Sequence, residues 1–279
     1  YADYFSTEYI FNTSLKARDF IINPQMIDPL TSLDRYGQKE TSLIIASPKQ
    51  RLNIAPIGNA ELPHIIYSTG AITRTSYASN RAGRLAAQDH ILGGLIVEVE
   101  DSERFYIRNV QSDSSGGFYD LNKYYKQNTC TPTTSTAFVM GDLHTGETDL
   151  TAYAAWKECI QLMKPKYIFL HDLFSGVSIS HHTVNNMNLQ VNKPEELDTL
   201  QKELDYVGSF LQKISNDFKQ QEIIIVKSNH DLFLERYLED QRAYKDVVNF
   251  KLVIQLAHWY MIEKKNPLEE YIRRKYKID

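Results

Sequence analysis

Three short runs of consecutive apolar residues punctuate the second half of the chain, at 137–140, 167–170 and 223–226. Runs of this kind predict strands. Between the first two, Tyr153, Trp156, Ile160 and Met163 recur at helical spacing, and Pro165 ends that helix before the second strand. Between the second and third, a longer helix is expected to start near Pro194-Glu195-Glu196. Its apolar stripe is Leu197, Leu200, Leu204, Val207, Leu211, Ile214 and Phe218, and acidic residues in its first turn suit the helix dipole. From Leu232 to about Lys265 the pattern is again helical, with few breakers. The order β-α-β-α-β predicts an α/β domain with a largely parallel sheet and right-handed crossovers.

The first half is patterned differently. Positions 94–100 and 104–110 alternate around Asp101-Ser102-Glu103, which predicts a β-hairpin. Shorter apolar pieces at 42–46, 51–57 and 64–68 are broken by Pro48, Pro56 and Pro63, and Gly116-Gly117 marks a turn. This half is expected to be α+β or mostly β. The run NTCTPTTST, rich in Thr and without period, predicts a linker over 129–136. The expected organisation is therefore an N-terminal segment (1–128), that linker, and a second domain over 137–279.

Composition adds boundaries. With 279 residues, 42% hydrophobic and 24% charged, the chain can build one large or two smaller cores. Its longest apolar stretches are too short to span a bilayer, and no leader pattern is present, although a chain beginning at Tyr1 is expected to have lost its true start. Cys130 and Cys159 lack metal-type spacing and fit a reducing, cytoplasmic setting. A net charge of −4 does not announce a nucleic-acid partner. Two local basic clusters could still meet phosphate: Arg74, Arg81 and Arg84 around Tyr77, and Arg273, Arg274, Lys275 and Lys277. A solvated surface accounts for either cluster equally well.

The candidate chemistry follows the three predicted strands: Gly141-Asp142-Leu143-His144, then His171-Asp172, then Ser228-Asn229-His230-Asp231. In parallel sheets ligands collect at the carboxyl ends of strands. Asp, His and Asn there are hard-to-intermediate ligands for divalent cations. Along an extended chain, Asp142 and His144 would project to the same side and grip one cation. Asp172 is a carboxylate able to bridge two metals, and Asn229 offers a neutral oxygen. His230-Asp231 reads as an acid with an orienting partner, able to protonate a leaving alkoxide. Each piece alone has an ordinary reading as a strand-end loop or helix cap. His181 and His182 follow the Asp172 loop and could reach substrate phosphate, or could lie in a surface turn.

Taken in order, G-D-x-H, a short Asp motif and S-N-H-D resemble the calcineurin-like dinuclear metallophosphoesterases, over roughly the chain after Thr136. The resemblance implies the first half of a β-sandwich flanked by helices, and two divalent metal ions, Mn2+ foremost, with Fe or Zn as alternatives. Asp142 and His144 would hold the first metal, Asp172 would bridge, and Asn229 would hold the second. His230 would assist the leaving group, and Asp231 would orient it. The chain departs from the family at His171 and Ser228, where Gly is common. The family's later His and G-H-x-H ligands are absent, because His258 is the only later histidine and sits in a helical run. The domain is therefore expected to be incomplete, with its C-terminal ligands beyond Asp279.

Asp172-Leu173-Phe174 and the stretch after Asn229 resemble the nuclease branch, including phage-encoded DNases of the T-five-like kind. That implies hydrolysis of DNA phosphodiester bonds by metal-activated water, in the host cytoplasm. Arg74, Arg81 and Arg84 would contact DNA, and the N-terminal segment would bind DNA or drive homo-oligomer formation. The alternatives are a phosphomonoesterase or small-phosphodiester hydrolase on the same fold, or a non-catalytic structural relative.

Overall fold

The computed structural model describes residues 7–23, 25–33, 36, 41–55, 63–180, 188, 191–192 and 194–278. The chain divides into two compact units, Tyr1–Thr133 and Thr134–Asp279.

In the first unit, β1 (Glu8–Asn12) and β2 (Leu15–Arg18) form a hairpin. They join β3 (Ser42–Ile45), β4 (Leu52–Ala55) and β5 (His64–Ser68) in a sheet of order β1-β2-β3-β5-β4. The β2–β3 and β3–β5 pairs are parallel, and the outer pairs are antiparallel. Leu30, Leu33, Leu43, Ile45, Ala55 and Ile66 form the buried core beside it. A short helix, α1 (Arg81–Gln88), is capped by the Asn80 side chain, which accepts from the Gly83 amide. The hairpin expected around residues 101–103 is present as β6 (Gly93–Val99) and β7 (Phe105–Gln111). The Asp101 carboxylate closes its turn by accepting the amides of Arg104 and Glu103, which hold its pKa down at about 2.

The Thr-rich run is not a linker throughout. Thr129–Pro132 is β10, an edge strand paired antiparallel to β9 (Lys123–Lys126), which pairs in turn with β8 (Phe118–Asp120). Thr favours strands, and Pro132 is tolerated because it sits on an edge. Only the next few residues connect the two units.

The second unit is built on a parallel three-stranded sheet in sequential order: β11 (Ala137–Val139), β12 (Tyr167–Leu170) and β13 (Glu222–Ile225). Helix α2 (Leu150–Met163) connects the first two strands. Asp149 caps its start, and Lys164, in a left-handed conformation, ends it just before Pro165. Helix α3 (Leu200–Asp217) connects the next two, capped by Thr199. It begins later than expected, because Glu195–Leu197 forms a separate 3-10 turn. The predicted stripe is nevertheless buried from Leu197 to Phe218. It packs with Met140, Ile160, Ile168 and Leu170 into one core.

The region expected to run as helix from Leu232 is segmented into α4 (Leu232–Glu239), α5 (Gln241–Lys245) and α6 (Phe250–Ala257), followed by a wide turn over His258–Ile262. The break between α4 and α5 falls at Asp240, whose carboxylate accepts the Arg242 amide and caps the new helix. The break before α6 is held by Asp246, which accepts the Asn249 amide and side chain. Helix α7 (Pro267–Tyr276) closes the unit, with Asn266 as its cap. In the candidate basic cluster, Arg273 and Arg274 pair with Glu270, and Lys275 pairs with Asp205.

Candidate metal centre

Asp142, His144 and Asp172 stand just beyond the carboxyl ends of β11 and β12, where the two chain paths stay together. The Met140 amide donates to Phe169 O (3.0 Å), His144 to Asp172 O (2.7 Å) and Thr145 to Leu173 O (3.0 Å). Leu143, between the two candidate ligands, is buried in the core and anchors the turn. His144 and Asp172 both lie in the left-handed region, at φ 40° and 51°. His144 is therefore not on an extended strand, and alternation does not set the Asp142–His144 geometry. A turn instead brings His144 Nε2 to 3.9 Å from Asp142 Oδ2.

Among the described residues, Asp142, His171 and Asp172 form a donor cluster, with one ligand atom from each lying within 4.8 Å of the others. His171 Nδ1 is 2.9 Å from Asp172 Oδ2 and 3.6 Å from Asp142 Oδ1. The hydrogen bond to Asp172 raises the His171 pKa. Burial opposes ionisation of Asp172, but hydrogen bonds from Ser228 and His171, with the charges of His144 and His171, hold its pKa below the ordinary value. Two buried atoms here, Asp172 Oδ1 and His144 Nδ1, have no hydrogen-bond partner among the described residues. Unpaired buried polar atoms are costly. A mixed oxygen and nitrogen donor set with unused lone pairs fits a divalent cation. His171 was legible only as a departure from the family pattern; its place beside Asp172 at a strand end was the available signal.

The third motif lies on the turn between β13 and α4. Asn229 is exposed on it. The His230 ring packs edge-on to His144 with centroids 4.4 Å apart, and against Phe233 at 4.7 Å. The expected orienting role of Asp231 is corrected. Its carboxylate accepts the Ser228 amide and hydroxyl (both 3.0 Å) and the Phe174 amide (3.2 Å), so it ties two loops together. Its buried side chain is consumed by these amides. His230 is held instead by the Ser175 carbonyl, 3.2 Å from Nδ1. A carbonyl only accepts, so Nδ1 carries the proton in the neutral ring and Nε2 is the acceptor nitrogen.

Behind this loop Glu203, fully buried on α3, accepts the amides of Val177 (3.1 Å) and Ser178 (2.8 Å). Burial raises its pKa, against the opposing hydrogen bonds. Nothing in the sequence marked it beyond an acid interrupting an apolar stripe.

His181 and His182 lie outside the described residues. Arg74, Arg81 and Arg84 are exposed in the first unit, before and on α1, where Arg84 donates to Ser79 O. His258 is exposed and faces Glu263 at 3.3 Å, as befits a helical surface residue. None of the described helices is long and apolar enough to cross a membrane.

Over 211 residues, 72% of this chain, the sequence is 34% identical to Protein A1 of Escherichia phage T5. The chain spans 38% of the length of that relative. No family model and no solved structure matches the chain.

Proposed function

We propose that the second unit is a metal-dependent phosphodiesterase domain of calcineurin-like type, acting on DNA as a phage-type DNase. The observation that carries this reading is the convergence of Asp142, His171 and Asp172 at the ends of two parallel strands, with Asp172 Oδ1 and His144 Nδ1 buried and without a hydrogen-bond partner among the described residues. Asp142, His171, Asp172 and His144 would hold divalent ions, Mn2+ foremost, with Asn229 on the adjoining turn as a further oxygen ligand. Such ions supply activated water and charge neutralisation at a phosphate.

The chain's own contribution is to place and protonate. The Ser175 carbonyl keeps the proton of His230 on Nδ1, so the imidazolium form can donate from Nε2 to the departing sugar oxygen. Asp231 fixes the turn that carries His230 by holding the amides of Ser228 and Phe174. Arg74, Arg81 and Arg84 would contribute phosphate contacts, making DNA binding fall steeply with salt. The similarity to a phage protein supports a setting in an infected host's cytoplasm.

The test is degradation of plasmid and linear DNA with added Mn2+, alongside Asp172→Ala. Removal of a partner that merely orients a ligand already costs about 10–100-fold, so loss of the Asp172 ligand itself should cost at least about 100-fold. DNA left intact by both proteins would turn attention to small phosphoesters, and inactivity there would overturn the hydrolase reading.

A further inference from the structure

Glu203 is a buried carboxylate without a cationic partner among the described residues, set on α3 among the core residues Leu200, Leu204 and Val207. Its two oxygens each take an amide, Oε1 from Val177 and Oε2 from Ser178. Those amides belong to the loop after Asp172, which has little regular structure of its own. The loop is tied down at other points by the Ser175 hydroxyl to Thr145 O (3.3 Å) and the Phe174 amide to Asp231. Gly176 lies between these ties at φ 73°, and a Cβ there would come within 2.7 Å of the Phe233 ring, which also packs on His230. The Ser175 carbonyl that meets His230 Nδ1 therefore sits one residue before a forced left-handed glycine and two before the first amide held by Glu203. Its direction depends on where those amides are fixed.

We propose that Glu203 is a positioning residue that acts through the 175–178 loop, aiming the Ser175 carbonyl so that His230 keeps its proton on Nδ1 and presents Nε2. A carboxylate suits this task because both oxygens accept. A glutamine would turn an N–H group toward one of the two amides, so Glu203→Gln preserves volume but breaks the match. The inference rests on the proposed role of His230 and is tested by a readout that needs no hydrolysis.

The experiment is long-range proton–nitrogen NMR of the His230 ring in the full chain, wild type against Glu203→Gln. The wild type is expected to show the Nδ1–H tautomer; in the variant, with far-ultraviolet circular dichroism unchanged, the two ring nitrogens are expected to average. Turnover of DNA in Mn2+ should fall by about tenfold to 100-fold, as for a catalytic group displaced by a fraction of an ångström to 1 Å, with KM changed less than about twofold. A wild-type ring protonated on Nε2, or a folded variant with the wild-type ring spectrum, would overturn the proposal. Should Glu203→Gln not fold, the wild type decides: Val177 and Ser178 amides exchanging at unprotected rates would overturn it, and their protection beside an Nδ1–H ring would support it. If the wild type leaves DNA intact, the DNase reading fails while the ring measurement still stands on its own.

Discussion

The two units reach order by different means. The first is assembled from hairpins and short sheets, with a core of small extent around Leu43, Ile45 and Ile66. Much of its remaining order comes from polar links: Arg108 spans Glu98 and Asp120 (2.8 Å to each), and Asp113 gathers Ser115, Gly117 and Tyr124. The second unit buries a continuous apolar core beneath a parallel sheet and confines its buried polar groups largely to the candidate site. A parallel sheet leaves strand ends on one side, where ligands can converge, whereas hairpins spread their turns. Among the described residues, the metal-type donors gather at such strand ends in the second unit.

Truncation in the larger core should have the greatest effect. Leu204→Ala is expected to cost about 2–5 kcal/mol. Urea unfolding followed by tryptophan fluorescence reads this directly, since both tryptophans, Trp156 and Trp259, lie in the second unit. Ile66→Ala in the first unit should cost nearer about 2 kcal/mol, because a small core can collapse around the gap. Hydrogen exchange at the Leu43 and Ile45 amides would report it, and a loss equal to that of Leu204→Ala would erase the contrast in cores.

Polar changes come next. Arg108→Ala should destabilise the first unit by at most about 1 kcal/mol, since its ion pairs are largely solvated. A larger loss, again by hydrogen exchange, would mean that polar links rather than the core dominate there.

The smallest effect is seen only in acid. Hydrogen bonding from Arg273, with Arg274 and Lys265 alongside, lowers the Glu270 carboxyl from an ordinary value of 4.5 to about 2. A depressed carboxylate stabilises the fold fully above its unfolded value, and this is lost as pH falls toward the folded one. Glu270→Gln should therefore flatten the decline of the melting temperature between pH 4.5 and 2, while Asp101→Asn should do so for the hairpin of the first unit. Equal slopes in variant and wild type would remove these groups from the acid response.

What could be read from the chain follows the same division. The three strands and two helices of the parallel sheet were legible because a continuous apolar run or a helical stripe is compatible with few other local structures. The strands β8 to β10 were not, since Tyr, Lys and Thr on solvated ribbons leave no apolar period, and in the hairpin β1–β2 the apolar Tyr9 and Ile10 are exposed, so no buried face marks it. Helix α1 escaped for a similar reason: RAGRLAAQ buries only Gly83 and Ala86. At the site, Asp142, His144, Asp172 and His230 were nominated by motif and are brought close together. The roles of His171, Asp231 and Glu203 depend on which amide or ligand each side chain meets across loops, and local sequence does not encode that.

The left-handed backbones of His144 and Asp172 bear on how related chains can be interpreted. Such a conformation costs a residue with a side chain on the order of 1 kcal/mol relative to glycine. The chain bears the same cost at Lys164 and Lys277, so the backbone alone does not single out His144 and Asp172; what sets them apart is the demand on their side chains at the proposed site. In a lineage released from the site's chemistry, these two positions are expected to be among the first to turn over. Under the proposed function, their identity in a relative serves as a marker of whether that copy keeps the site.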